Sequence, residues 1–169
     1  MANFIADFRS KYSHQQINGG EGAEDSVSAA PYDEENDDQP SPPPFLNCTY
    51  AQALSQARRE LKFLLVYLHG DDHEDSPAFC RNIICAEEFR EFLRGDGDGS
   101  STSRSILLWA CNVNSGEGFR VSQALREHTY PFIGLIVQIN GRMTLVGRVE
   151  GAVDSPSSLI DKLKLLIRV

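Results

Sequence analysis

The spacing of hydrophobic residues changes period several times along the chain. Phe4, Ile5, Phe8 and Tyr12 recur at one, three and four residues, which predicts a short helix ending near Lys11 or Tyr12. Alone it would be marginal, because a helix this short does not recover its nucleation cost. Thr49 followed three residues later by Gln52 is a capping box, and the Ala, Leu, Gln and Arg content after it predicts a helix through residue 60. Residues 62–69 (KFLLVYLH) form a short run rich in apolar residues, closed by Gly70-Asp71-Asp72, which predicts a buried central strand. Ser76-Pro77 offers a cap and a first-turn proline for a helix through residue 82, with a second helix over about 86–93 and a flexible loop over 95–103.

The second half repeats this grammar. Residues 105–111 (SILLWAC) predict another buried strand, and residues 118–127 a helix with Phe119, Val121 and Leu125 as its apolar positions. Strand alternating with helix predicts parallel pairing. Residues 132–139, Asn140-Gly141 and residues 143–149 read as an antiparallel hairpin, since Asn-Gly supplies the left-handed residues that a two-residue turn requires. Ser155-Pro156 then opens a helix whose stripe is Leu159, Ile160, Leu163, Leu166 and Ile167. No internal repeat is visible.

Composition adds one division of the chain. The formal charge is −8 over 169 residues, with 41% apolar and 24% charged positions. Residues 18–47 carry eight acids and no Lys or Arg, so the remainder balances sixteen of each sign. Neither part has the basic excess that nucleic-acid binding needs, so no nucleic acid is expected as a partner. The segment 18–44 (Gly, Ser, Glu, Asp, closing in a triple proline) lacks the apolar surface to offset its ordering entropy and is expected to be a disordered acidic Pro-rich linker. The prolines are also a candidate ligand for a polyproline-reading domain, with a plain linker the preferred reading. The organisation expected is therefore a short N-terminal helix over 1–17, this linker, and one folded domain over 45–169. No apolar run approaches the roughly 20 residues a bilayer span requires. The N-terminus has no secretory signal pattern, so a cytoplasmic setting, reduced cysteines and an unmodified Asn47-Cys48-Thr49 are expected.

The order of elements, β-α-β-α followed by X-Pro, a hairpin and a closing amphipathic helix, resembles an α/β thioredoxin-like domain: a central mixed sheet flanked by helices, with a C-terminal β-hairpin and closing helix. That resemblance implies a cis peptide at Tyr130-Pro131. The redox chemistry of the fold needs two cysteines two residues apart at a helix start. The corresponding turn, residues 69–75 (HGDDHED), contains none. Cys80 and Cys85 are five apart, about 140° on one α-helix, and are not expected to pair. A reactive Cys80 stays open as an alternative to a buried small apolar residue.

Three longer words, RRELKFLLVYLHGDDHEDSPAFCRN, LLWACNVNSGEGFRVSQALRE and TYPFIGLIVQINGRMTLVGRVEG, resemble the UAS domain of ubiquitin-regulatory (UBX) adaptor proteins, in particular the Fas-associated factor group. The likeness covers about residues 45–169, with an echo at Phe8 to Tyr12. Segments 18–44 and 95–103 are insertions, placed in loops where added length is tolerated. The resemblance implies a non-catalytic adaptor for ubiquitin-dependent degradation at the cytosolic face of the endoplasmic reticulum and lipid droplets. It implies partnership with ubiquitin-pathway proteins and the valosin-containing AAA ATPase through regions outside this chain. It further implies binding of long-chain unsaturated fatty acids and self-association driven by them.

A fatty-acid carboxylate needs cations beside apolar surface. The candidates are Arg58, Arg59 and Lys62 at the end of the first domain helix, with Arg120 and Arg126 on a later one; their plainer role is to complement helix dipoles. The surface matching the thioredoxin site comprises Asp72, His73, Thr129, Tyr130 and Pro131, of which His73, Thr129 and Tyr130 could bind a peptide by backbone pairing. Neither a catalytic residue, a metal nor a cofactor is expected. The turn 69–75 has imidazoles and carboxylates but no cysteine pair, and Asp96-Gly97-Asp98 starts like a calcium loop yet lacks its later glycine and glutamate. The rival readings are a single-cysteine redox enzyme using Cys80, and a passive scaffold or peptide binder.

Overall fold

The computed structural model describes residues 2–12, 42–95 and 106–167. Most of the expected linker, and most of the 95–103 insertion with its calcium-like start, lie outside the described residues.

The elements are α1 (Ala2–Tyr12), α2 (Tyr50–Glu60), β1 (Leu64–His69), α3 (Ser76–Phe79) continuing into a π-helical turn (Cys80–Ile84), α4 (Glu87–Arg94), β2 (Leu107–Asn112), α5 (Gly116–Leu125), β3 (Phe132–Ile139), β4 (Arg142–Glu150) and α6 (Pro156–Ile167). The sheet order is β2-β1-β3-β4. β1 and β2 run parallel from Leu64↔Leu107 to His69↔Asn112. β3 is antiparallel to both β1 and β4. The hairpin turn has Asn140 and Gly141 both at positive φ (50° and 79°), the conformation that Asn-Gly favours. Opposite Leu135 and Ile136 the register on β4 skips from Gly147 to Leu145.

Every residue of β1 is buried, because helices cover both faces of the sheet. Leu65 and Tyr67 point into a core shared with α1, the α3 segment, α4 and α6. Leu64, Val66 and Leu68 point into a second core under α2 and α5, with Trp109 at its centre. The Trp109 indole N–H donates to the Cys48 carbonyl at 3.0 Å, which ties the segment before α2 to β2.

Tertiary burial explains why α1 forms despite its length. Phe4, Ile5 and Phe8 are buried against the first core, each contributing roughly 1.5–3 kcal/mol if fully removed from water. Phe8 meets Phe45 edge-on at 5.0 Å between ring centroids. The α2 capping box forms as expected: Thr49 N–H donates to Gln52 Oε1 at 2.9 Å and Gln52 N–H to Thr49 Oγ1 at 3.3 Å.

Three local expectations need correction. Ser76 is the first residue of α3 and not its cap; Asp75 precedes it in helical conformation and makes no side-chain cap bond, because the turn enters the helix without an extended residue. The helix does not end at residue 82. It widens into a π turn in which Cys85 N–H reaches the Cys80 carbonyl at 3.0 Å, so the α-helical spacing of the two cysteines does not apply. Both thiols are free. Phe119 is 59% exposed, because the buried stripe of α5 is Gly118, Val121, Ser122 and Leu125 and residue 119 lies about 100° further round.

Candidate functional site

Two elements meet where a thioredoxin-like fold carries its chemistry. The turn after β1 brings His73 to Thr129, with Nε2 and Oγ1 3.4 Å apart. His73 Nδ1 stands 3.8 Å from Asp75. The Tyr130–Pro131 bond is cis, and Gly70 leaves room for the Tyr130 ring, since a Cβ there would sit 3.1 Å from Tyr130 Cδ2. The Tyr130 hydroxyl donates to Glu127 at 2.7 Å; burial and this carboxylate push its pKa up to about 12. Asp72 is exposed in the same turn. His73, Thr129 and Tyr130 are half-buried here, Pro131 itself is buried, and no cysteine lies in the turn.

The five candidate cations divide into two groups. Arg58 and Arg59 occupy the last turn of α2, with Lys62 just beyond it. Lys62 pairs with Glu60 at 2.9 Å and Arg59 approaches the same carboxylate at 3.9 Å. Hydrogen bonds from Lys62 and then Gln56 hold the Glu60 carboxyl below the usual range. Arg120 lies within α5 and Arg126 caps its C-terminus. Six residues apart, these two are separated by roughly 120° and 9 Å on an ideal helix and do not converge. Both helices cover the same face of the sheet.

One buried chain of polar groups escapes a reading by motif. Tyr67 and His69, two apart on β1, share a face. The Tyr67 hydroxyl lies 2.8 Å from His69 Nδ1 and 3.2 Å from Cys80 Sγ, and His69 Nε2 lies 3.2 Å from Asp71 Oδ1. One proton arrangement satisfies every group: the Cys80 thiol donates to Tyr67, Tyr67 to Nδ1, and Nε2–H to Asp71. Burial pushes the His69 pKa down, with the Asp71 carboxylate opposing it. Burial likewise raises the Cys80 thiol to about 11 and Cys85 to about 12. Burial also works against ionisation of Asp71, but the Asn112 amide, His69 and Lys11 together outweigh it and hold its carboxyl low. Near neutral pH such a set is a chain of neutral groups ending on a carboxylate. It does not present a thiolate near neutral pH, since the thiolate is the nucleophilic form. The signal in the sequence was the polar pair at i and i+2 inside an apolar strand.

Among the described residues no three His, Cys, Asp or Glu side chains converge as a metal site, and no helix is long and apolar enough to cross a membrane.

No protein-family model matches the chain. FAS-associated factor 2-A of Xenopus laevis is 51% identical over 125 residues, covering 74% of this chain and 26% of that protein. Over that segment the chain is a FAS-associated factor 2 homologue. The Rattus norvegicus FAS-associated factor 2 is also 51% identical over 125 residues, 33% of its length. The plant UBX domain-containing protein 10 of Arabidopsis thaliana is 31% identical over 121 residues, 71% of this chain and 22% of that protein. The chain thus spans about a quarter to a third of these FAS-associated factor 2 relatives. Among solved structures, a DsbH oxidoreductase aligns with a TM-score of 0.57 at 12% identity, over 89% of this chain and 96% of that one. A disulphide-isomerase-like protein from Bacteroides thetaiotaomicron aligns at 0.56 and 21% identity, over 75% and 93%. The fold of this FAS-associated factor 2-like chain is thioredoxin-like, as expected from its order of elements.

Proposed function

We propose that this chain is the non-catalytic UAS module, residues 45–169 preceded by α1, of an adaptor acting in ubiquitin-dependent degradation at the cytosolic face of the endoplasmic reticulum and lipid droplets. The observation that carries the reading is the thiol-free turn facing cis-Pro131, at the position where relatives by fold do disulphide chemistry. A buried Cys80 with a raised pKa supports it further and disfavours the single-cysteine enzyme. Ubiquitin-pathway partners and the valosin-containing AAA ATPase would be engaged by regions outside this chain, as the UBX domain named in the plant relative suggests.

Its ligand in this reading is a long-chain unsaturated fatty acid, whose binding drives self-association. Leu61 and Phe119 are each 59% exposed and each directly precedes a candidate cation, Lys62 and Arg120. Exposed apolar side chains beside cations on one layer suit an acyl chain with its carboxylate. Sedimentation velocity of the whole chain, with an unsaturated acid and with the saturated acid of equal length, tests this. Assembly with the unsaturated acid alone, lost on charge reversal at Arg58, Arg59 and Lys62, is the expected result. A monomer under every condition overturns the lipid part and leaves a passive scaffold or a peptide binder at His73, Thr129 and Tyr130.

A further inference from the structure

A second feature lies on the opposite face of the sheet from the candidate cations. Between α1 and the ends of β1 and β2 is a half-open cavity of about 240 Å³. This is below the roughly 300–1,000 Å³ of sites for drug-sized ligands, so it suits a small group. One wall is aromatic: Phe4, Phe8 and Tyr12 recur every four residues along α1. The floor is polar, with His69, Asp71, Asn112 and Ser115.

Charge selects the occupant. Two carboxylates, Asp7 and Asp71, line the cavity against one lysine, Lys11. Asp71 accepts from the Asn112 amide and faces His69 Nε2 at 3.2 Å, while its third partner, Lys11, stands off at 3.6 Å with a 60% exposed side chain. Asp7 makes no ion pair among the described residues. Asp7 and Lys11 are four apart on α1, so Lys11 has a neighbouring carboxylate to pair with when it leaves Asp71. Aromatic faces add attraction for a cation and surface for an apolar stem. An anion would meet two carboxylates instead.

We propose that this cavity binds a primary ammonium on a short apolar stem, with the ammonium on Asp71 in place of Lys11 and the stem against Phe4, Phe8 and Tyr12. The group is that of a small free alkylamine or of a lysine side chain. The site is separate from the fatty-acid reading and stands or falls without it.

The test is NMR titration of the whole labelled chain with n-pentylamine and with Nα-acetyl-lysine methylamide, using pentanol and pentanoate as uncharged and anionic controls. Saturable shifts at Phe4, Phe8, His69 and Asn112 with an amine, and not with the controls, are expected; saturation by pentylamine alone assigns a free amine, and by both a lysine side chain. Asp71→Asn should weaken binding about tenfold or more, as loss of a partnered charge does. Lys11→Met should tighten it, about threefold for removal of an exposed competing ion pair, a gain that misfolding cannot mimic. Equal shifts with pentanol or pentanoate, weaker binding in Lys11→Met, or shifts that never saturate would overturn the proposal.

Discussion

The Tyr67 hydroxyl joins His69 to Cys80 inside the core, lying 2.8 Å from His69 Nδ1 and 3.2 Å from Cys80 Sγ. Replacing it with Tyr67→Phe leaves the ring packing intact and removes the donor to Nδ1. An unsatisfied buried acceptor costs about 1–3 kcal/mol, and the Cys80 thiol, 3.6 Å from the same nitrogen, is placed to recover part of that. We expect a loss of about 1–2 kcal/mol in urea unfolding. Combining it with Cys80→Ala should cost more than the sum of the singles if the thiol substitutes for the hydroxyl.

His69 also sets the direction of the pH response. Its folded pKa lies below its ordinary value of 6.5, so on acidification the unfolded chain takes up the proton first. Stability is complete above about pH 6.5 and falls as pH drops from there towards the folded pKa. Asp71, also held low, adds a further loss at more acidic pH, below its ordinary value of 3.8. Denaturant midpoints measured between pH 7 and 5 should decline, and His69→Gln should flatten that decline even where it lowers the plateau. An unchanged slope would remove His69 from the account.

The four thiols should differ sharply in reactivity. Cys80, Cys85 and Cys111 are buried and only Cys48 is half-exposed. Thiolate fraction and access both govern attack on a disulfide reagent. Under native conditions near pH 8, a chromogenic disulfide should label Cys48 first, slowly because burial and then Glu117 raise its pKa. The other three should react on unfolding. Rapid labelling of Cys80 in the folded chain would revive the single-cysteine enzyme.

What a sequence displays depends on whether local and tertiary forces agree. β1 and the Asn140-Gly141 hairpin were legible because apolar runs and turn chemistry demand the same conformations that the sheet requires. Phe119 is hydrophobic yet exposed because α5 faces the sheet through Gly118, which abuts the Asn112 carbonyl at the end of β2. The π turn at Cys80–Ile84 carries no signature in spacing. The Cys80, Tyr67, His69 and Asp71 chain is spread over 14 positions on β1, the turn after it and the π turn, so only the i, i+2 pair on β1 hints at it. The cations at the end of α2 are visible in the sequence by residue type, whereas the pairing of Lys62 with Glu60 depends on the left-handed turn at Leu61 that ends the helix.

Gly118 is where the β2 to α5 connection leaves least space. A Cβ there would be driven into the backbone carbonyl of Asn112, an atom that cannot rotate away. That carbonyl also accepts from Ser115 Oγ at 2.7 Å, and Ser115 in turn caps Gly118 N–H at 3.0 Å. Gly118→Ala should therefore cost about 3 kcal/mol, the upper end for overpacking. Gly116→Ala, two residues earlier with nothing within 4 Å of the added carbon, should change stability by about 0.5 kcal/mol or less. Parallel urea titrations of the pair separate steric exclusion from a general effect of removing glycine, and equal midpoints would refute the close approach.

Leu61 allows a prediction of opposite sign. It follows α2 in the left-handed region, φ 53° and ψ 38°, where a side chain other than glycine is strained. Its backbone N–H still reaches Arg58 O at 3.4 Å, and Lys62 N–H reaches Ala57 O at 3.0 Å, so the terminus is closed as glycine-capped helices are. Glycine at this position relieves about 1–2 kcal/mol of left-handed strain and returns about 0.4–1 kcal/mol through the freer unfolded chain. The side chain is 59% exposed, so little packing is lost. Leu61→Gly should raise stability by about 0.5–1 kcal/mol, read as a higher urea midpoint at unchanged slope. Because Leu61 is also an apolar neighbour of Lys62 in the fatty-acid reading, the same variant should assemble less readily with the unsaturated acid. Greater stability with undiminished assembly would move the acyl contact away from the end of α2.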